Sequence, residues 1–186
     1  AHSRGLKVAS HAHGAQGIIN ALHAGADTIE HASFIDEEGI RLAIANNAAL
    51  SMDIYVTEYI LGEGAGAGIL EESLEKERMT GSTQRANFRK AVEAGATIVY
   101  GTDAGVYPHG QNAKQFSRMV RFGMTPLQAI QSATVTAADV MGLGYEVGKI
   151  EAGYAADFVA VKGNPLENIE LLEEPAAVIK GGVRYR

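Results

Sequence analysis

Cysteine is absent from all 186 residues. Its absence excludes disulfides, thiolate metal sites and cysteine nucleophiles, and leaves histidine and the carboxylates as the strong metal ligands available. Such usage fits the cytosol, and a cytoplasmic location is expected. An excess of basic charge is absent too: 16 Lys and Arg stand against 22 Asp and Glu, for a formal charge of -6. Nucleic acid and anionic membrane surfaces are therefore poor partners, and a small molecule is the better expectation. No run is apolar enough to span a bilayer. Also missing are an initiator methionine and a basic-then-apolar leader, and a β-rich run begins almost at once, so the chain is expected to start in mid-fold. Proline is scarce at 4 residues.

What is present is a hydrophobic fraction of 46% and 22 glycines, which together suit a globular core with many tight connections. From Leu6 onward a short β-rich run, a glycine-marked turn and an amphipathic stretch of helical period follow one another repeatedly. The spacing predicts strands over residues 6–11, 27–31, 48–53 and 96–103, and helices near 15–24, 37–46 and within 70–94. Gly25 and Gly95 stand where a left-handed residue ends a helix, and Asp36 where a side chain caps one. Strands alternating with helices predict an α/β fold with a parallel sheet, either open and doubly wound or closed into a (β/α)8 TIM-type barrel. Residues 53–69, with the tract Gly62 to Gly68, lack periodicity and are expected to form a mobile loop, either a plain linker or a lid. Beyond residue 103 two or three helices are expected, one opening with Thr125 as cap and Pro126 at its first position, with Leu127, Ile130 and Ala133 on one face. Residues 148–186 change character to short strands, 157–162 and 176–184, with Gly-Asn-Pro and Gly-Gly turns. The division expected is a partial barrel over 1–147 and part of a small β-domain over 148–186.

Three predicted strand ends carry ionisable residues: Ser10-His11-Ala12-His13-Gly14, Ile29-Glu30-His31-Ala32 and Gly101-Thr102-Asp103-Ala104-Gly105. In parallel α/β folds all strand C-termini open on one face, where ligands bind. Neighbouring strands lie about 4.8 Å apart, so two imidazoles at adjacent ends can share one ion at about 2.0–2.1 Å each. His11 and His31 are the candidate metal ligands, and Asp103 the candidate for the same ion or the water it activates. His13 is placed for a substrate or supporting role, and His109 and Tyr107 sit in the loop beyond Asp103, where substrate is often held. Tyr55 and Tyr107 could each donate to a substrate carboxylate or simply anchor a loop. Strand alternation is expected to turn Glu30 towards the helix layer, and His2 and His23 are expected to be solvated. No Gly-x-Gly-x-x-Gly follows a strand, and there is neither a phosphate-loop lysine signature nor a Gly-x-Ser-x-Gly elbow, so nucleotide binding and serine-hydrolase chemistry have no support.

Taken in order, these segments resemble the amidohydrolase superfamily, in particular its Xaa-Pro dipeptidase, carboxypeptidase and imidazolonepropionase-like branch. Val8 to Gly14 is similar to that family's fifth barrel strand and Thr28 to His31 to its sixth. Gly101 to Gly105 with Pro108-His109-Gly110 is similar to the eighth strand and its loop, Thr125 to Ile130 with Ala133-Thr134 to the helix pair that follows, and Gly148 to Val159 to the return into a small β-domain.

The resemblance implies strands five to eight of a (β/α)8 barrel, one or two divalent ions in the complete enzyme, usually zinc, and hydrolysis of an amide or peptide bond. It implies His11 and His31 as metal ligands and Asp103 as both metal-associated group and proton shuttle. The family's first-strand His-x-His pair and fourth-strand Lys have no counterpart in these residues. The expected partners are a dipeptide or other small substrate, the missing N-terminal half of the barrel, and a second copy in a homo-oligomer. Two other readings remain beside a dipeptidase: a truncated, non-catalytic or complementing subunit, and a cyclic-amide hydrolase or deaminase using the same metal machinery.

Overall fold

The computed structural model describes residues 1–186. Four parallel strands, β1 (Ala9–Ala12), β2 (Thr28–His31), β3 (Ala49–Ser51) and β4 (Ile98–Val99), pair in chain order β1-β2-β3-β4. Helix α1 (Ala15–His23) joins β1 to β2 and α2 (Glu37–Ala45) joins β2 to β3. The third crossover contains α3 (Val56–Gly62) and α4 (Glu71–Glu93). The strand order never reverses, and α1, α2 and α4 all pack into one core on a single side of the sheet. Of the two architectures left open above, this singly wound arrangement excludes the doubly wound sheet.

The strands are shorter than their sequence patterns. The first starts at Ala9 rather than Leu6, and the fourth pairs only over Ile98 and Val99, after which the Tyr100 N–H donates to the carbonyl of Ser132 instead of to a strand. Helix ends follow their local chemistry. The Asp36 carboxylate accepts from the Gly39 N–H at 2.8 Å, and Gly25 and Gly95 adopt φ of 86° and 79° just beyond α1 and α4.

The main core lies between the sheet and the helices. It joins Ile29, Leu50, Met52, Ile54 and Ile98 from the sheet side to Ile18, Leu22, Ile40, Ala43, Phe88 and Ala91 from α1, α2 and α4. Each fully buried aliphatic or aromatic side chain contributes about 1.5–3 kcal/mol, so this layer dominates the fold's stability. The alternate strand residues, Ala9, His11, Glu30, Ser51, Asp53 and Val99, stay out of that cluster and belong to the other sheet face. β3 and β4 approach closely there: a Cβ on Gly101 would run into the Ser51 hydroxyl.

Residues 53–69 differ from the expected loop. Val56–Gly62 is helical because Tyr55, Val56 and Tyr59 bury against Tyr107 in a second, small apolar cluster, a tertiary contact that periodicity over so short a stretch does not reveal. Gly81 lets α4 press on α3, since a Cβ there would meet Thr57. Beyond Gly62 the glycine tract closes as turns, with Ile69 N–H donating to the Gly64 carbonyl at 2.8 Å.

Beyond β4 come α5 (Lys114–Arg121), α6 (Pro126–Ser132) and α7 (Val135–Met141). Thr125 and Gln128 form a reciprocal capping box at the start of α6. The buried face of α6 is Ala129 and Ser132, with Leu127 half exposed, which corrects the expected Leu127, Ile130, Ala133 face by about a third of a turn. The C-terminal residues build a separate antiparallel sheet of β5 (Phe158–Ala160), β6 (Ala177–Lys180) and β7 (Val183–Arg184), with Gly181-Gly182 turning β6 into β7. No helix is long and apolar enough to cross a membrane.

Candidate active site

Parallel pairing aligns the C-terminal ends of β1 to β4, so residues far apart in sequence converge. His11, His13 and His31 each bring a ring nitrogen within 4.8 Å of the others, and His31, Asp53 and Asp103 do the same with one nitrogen and two carboxylate oxygens. The three rings form one cluster. His13 stacks on His31 at 4.7 Å and 16°, and His11 stands edge-on to both, at 4.9 Å from His13 and 4.7 Å from His31.

Strand alternation accounts for most of this. His11 pairs in register with Glu30, and Glu30 with Ser51. Thr28 donates to the Glu30 carboxylate at 2.5 Å, while Ile29 between them is wholly buried on the helix side. Glu30 therefore shares the face of His11, not the helix layer expected for it. His31 should then point away, yet it joins the cluster because its backbone turns left-handed, with φ 67°, followed by Ala32 at φ 47°. Asp103 is also left-handed, at φ 50°. A non-glycine residue in that region costs on the order of 1–2 kcal/mol, so both strand ends carry strain at site residues.

Asp53 went unselected in the sequence, although it ends the third strand run as Asp103 ends the fourth. It is buried, and both its oxygens lie 3.1 Å from His31 Nδ1. A carboxylate only accepts, so Nδ1 carries the proton and Nε2 of His31 is left as the nitrogen free to bind a ligand. His13 Nδ1 is also hydrogen-bonded, 2.8 Å from the Ser33 hydroxyl, a group that can either donate or accept.

These neighbours shift the titrations. The hydrogen bond to Asp53 holds the His31 imidazole above its ordinary value against the opposing effect of burial. Burial, then the Asp53 charge, raises the Asp103 carboxyl, with the three imidazoles pulling the other way. Burial and the flanking His31 and His11 lower His13.

The donors fit a divalent ion of borderline softness: imidazole nitrogens with a carboxylate, two of the imidazoles already fixed through Nδ1. His31, common to both donor groups, would hold it, with His11 and His13 on one side and Asp103 on the other, and with Asp53 orienting His31.

Of the other candidates, His109 is exposed and outside both donor groups. Tyr107 is buried, packed edge-on to Tyr55 at 5.1 Å. Its hydroxyl is sealed from solvent without a hydrogen bond of good geometry, although Thr102 is near enough to partly offset the upward push of burial on its pKa. The Tyr55 hydroxyl donates to Gln111 at 3.1 Å and so anchors a loop. His2 is not simply solvated; its Nε2 lies 2.8 Å from Asp27.

The chain as a whole is similar to several known proteins. Ochratoxinase from Aspergillus niger is 36% identical over 184 residues, which cover 96% of this chain and 38% of that protein. A crystal structure of a Xaa-Pro dipeptidase with methionine bound in its active site is 42% identical with a TM-score of 0.93, covering 100% of this chain and 46% of that one. A prolidase solved in complex with N-methylphosphonate-L-proline is 26% identical with the same TM-score of 0.93, again covering 100% of this chain and 46% of its own. The chain thus spans less than half the length of the relatives it matches. The sequence model described as the amidohydrolase family matches residues 1–184, and with the strand-end histidines and aspartates in place, the chain belongs to that family.

Proposed function

We propose that this chain is the C-terminal half of a metal-dependent amide-bond hydrolase acting on dipeptides of the Xaa-Pro kind. In this reading β1 to β4 are strands five to eight of a (β/α)8 barrel, and residues 148–186 belong to a small β-domain. The observation that carries it is the convergence, beyond four consecutive parallel strands, of two donor groups that share His31: His11 and His13 with it, and Asp53 and Asp103 with it. The choice of substrate leans on the relatives, a Xaa-Pro dipeptidase and a prolidase among them.

A bound divalent ion, zinc being best suited to this donor set, would supply Lewis-acid polarisation of the scissile carbonyl and of the attacking water. Asp103 serves as the proton carrier: it takes a proton from the attacking water and returns it to the leaving amine. His13, exposed and stacked on His31, is the side chain best placed to meet the substrate carbonyl. His109, exposed in the loop beyond Asp103, is free to reach substrate, whereas Tyr107 supports that loop from its buried cluster with Tyr55 and Tyr59.

The sheet needs a complement. β1 and β4 each pair with a single strand, so both outer edges offer unpaired backbone groups. The partner proposed is the other half of the barrel, with further copies of the assembled protein in a homo-oligomer.

The test is hydrolysis of a dipeptide panel by this chain together with the N-terminal half of the barrel, after chelator treatment and again after return of zinc. Turnover that appears with both halves and depends on the metal supports the reading. Background turnover in the reconstituted protein with metal restored sinks it.

A further inference from the structure

Behind the imidazoles, α4 turns a buried polar stripe towards the loop that ends β2. Gln84 and Asn87, three residues apart and so on one helix face, are 4% and 9% exposed, beside the wholly buried Phe88 and Ala91. A buried carboxamide destabilises a core unless its groups are hydrogen-bonded. Leucine at either position would fill a similar volume without that cost. What the stripe holds is therefore informative.

Gln84 Nε2 donates to the backbone carbonyl of His31 and to Asp53 Oδ1, both at 3.1 Å. One amide thus fixes both partners of the His31–Asp53 pair. Asn87 Nδ2 donates to the carbonyl of Ser33 at 3.0 Å, and the Ser33 hydroxyl holds His13 Nδ1. The first clamped carbonyl belongs to left-handed His31, and left-handed Ala32 lies between it and the second. Two successive left-handed non-glycine residues form no regular structure; the Ala32 carbonyl is met locally by the Ile35 N–H at 3.1 Å, whereas the His31 carbonyl takes its donor from Gln84. The reversal is also what brings His31 to the face of His11. A chain free to relax here would return His31 to normal strand alternation and remove it from the cluster.

We propose that Gln84 and Asn87 are positioning residues for the metal centre, clamping the reversed backbone from His31 to Ser33 so that His31 is aimed at the ion and His13 at the substrate. This rests on the reading of the histidines as a metal site.

The test uses the full natural protein with Gln84→Leu, Asn87→Leu and, as a control on the exposed face of α4, Ser82→Ala. Gln84→Glu keeps the shape of glutamine but loses the donor, and stands in should a leucine variant fail to fold. Zinc affinity is measured by competition with a chromophoric chelator, and amide hydrogen exchange is followed in the metal-free state. Partners of metal ligands typically change affinity by about 10–100-fold, and a loss of that size is expected for the Gln84 variants. Asn87→Leu should raise KM more than it weakens zinc. In both, the amides of Ala32 and Phe34, which donate to Ala12 and His13 at 3.1 and 2.9 Å, should exchange roughly tenfold or more faster, while the Leu50 amide in the sheet keeps its rate. Ser82→Ala should match the parent throughout. A parent protein that binds no zinc overturns the reading beneath the proposal. A parent that binds it, with folded variants that bind equally and exchange at parent rates, overturns the clamp alone.

Discussion

His31 Nδ1 lies 3.1 Å from both Oδ1 and Oδ2 of Asp53, in a pair whose side chains are 16% and 6% exposed. The carboxylate sets which ring nitrogen bears the proton. Replacing Asp53 by Asn offers Nδ1 an amide that can donate, which favours the proton on Nε2 and blocks the nitrogen meant for the ion. Asp53→Asn should weaken zinc binding by about 10–100-fold, measured by chelator competition. Unchanged affinity would mean that His31 binds no metal through Nε2.

Asp103 has the other separable role. If it carries the proton between water and leaving amine, Asp103→Asn should lower kcat by about 100- to 10,000-fold with a small change in KM. Steady-state kinetics with a dipeptide, alongside metal analysis of the variant, is the check. Near-normal kcat in a metal-loaded variant removes Asp103 from the mechanism.

Glu77 offers a stability test away from the donors. Burial pushes its carboxyl above the ordinary value, although hydrogen bonds from Thr57 and Thr80 oppose the shift. The folded state therefore binds this proton more tightly than the unfolded one. The associated stability is fully present below the unfolded carboxyl pKa, about 4.3, and is lost as pH rises through the folded value. Glu77→Gln mimics the protonated form and keeps the acceptor for Thr57. Its melting temperature should exceed that of the parent at neutral pH, with the gap closing in acid. An equal or lower melting temperature at pH 7 refutes the assignment.

Gly101 marks the tightest approach of β4 to β3. Gly101→Ala should destabilise by about 1–3 kcal/mol through its clash with the Ser51 side chain. Adding Ser51→Gly should recover most of the loss. Denaturant titration of the single and double variants measures this, and a purely additive double variant rules out the contact as the cause.

Much of the fold was legible because its signals are local. The Asp36 cap, the Thr125–Gln128 box and the glycines after α1 and α4 act within a few residues, and the structure places each where its chemistry requires. Helix α3 was not legible, since Tyr55 and Tyr59 become helical residues only by burying against Tyr107, about fifty positions later. In the site, His11, His31 and Asp103 stood out as charged residues at strand ends. Asp53 carried the same signal at the end of the third run and could have been found by it.

By itself the sequence determined the order of the four strands and of α1, α2 and α4 between them, and His11, His31 and Asp103 as residues delivered to their ends, since period-two and helical patterns, caps and turns are written along the chain. Only the tertiary structure decided which face Glu30 and His31 take, because one left-handed φ at His31 reverses the alternation that sequence reading assumes. It alone also brought Gln84 and Asn87 to that reversal: they lie more than fifty residues from the carbonyls they hold, and nothing in a helix's own pattern says which strained loop its buried amides will satisfy.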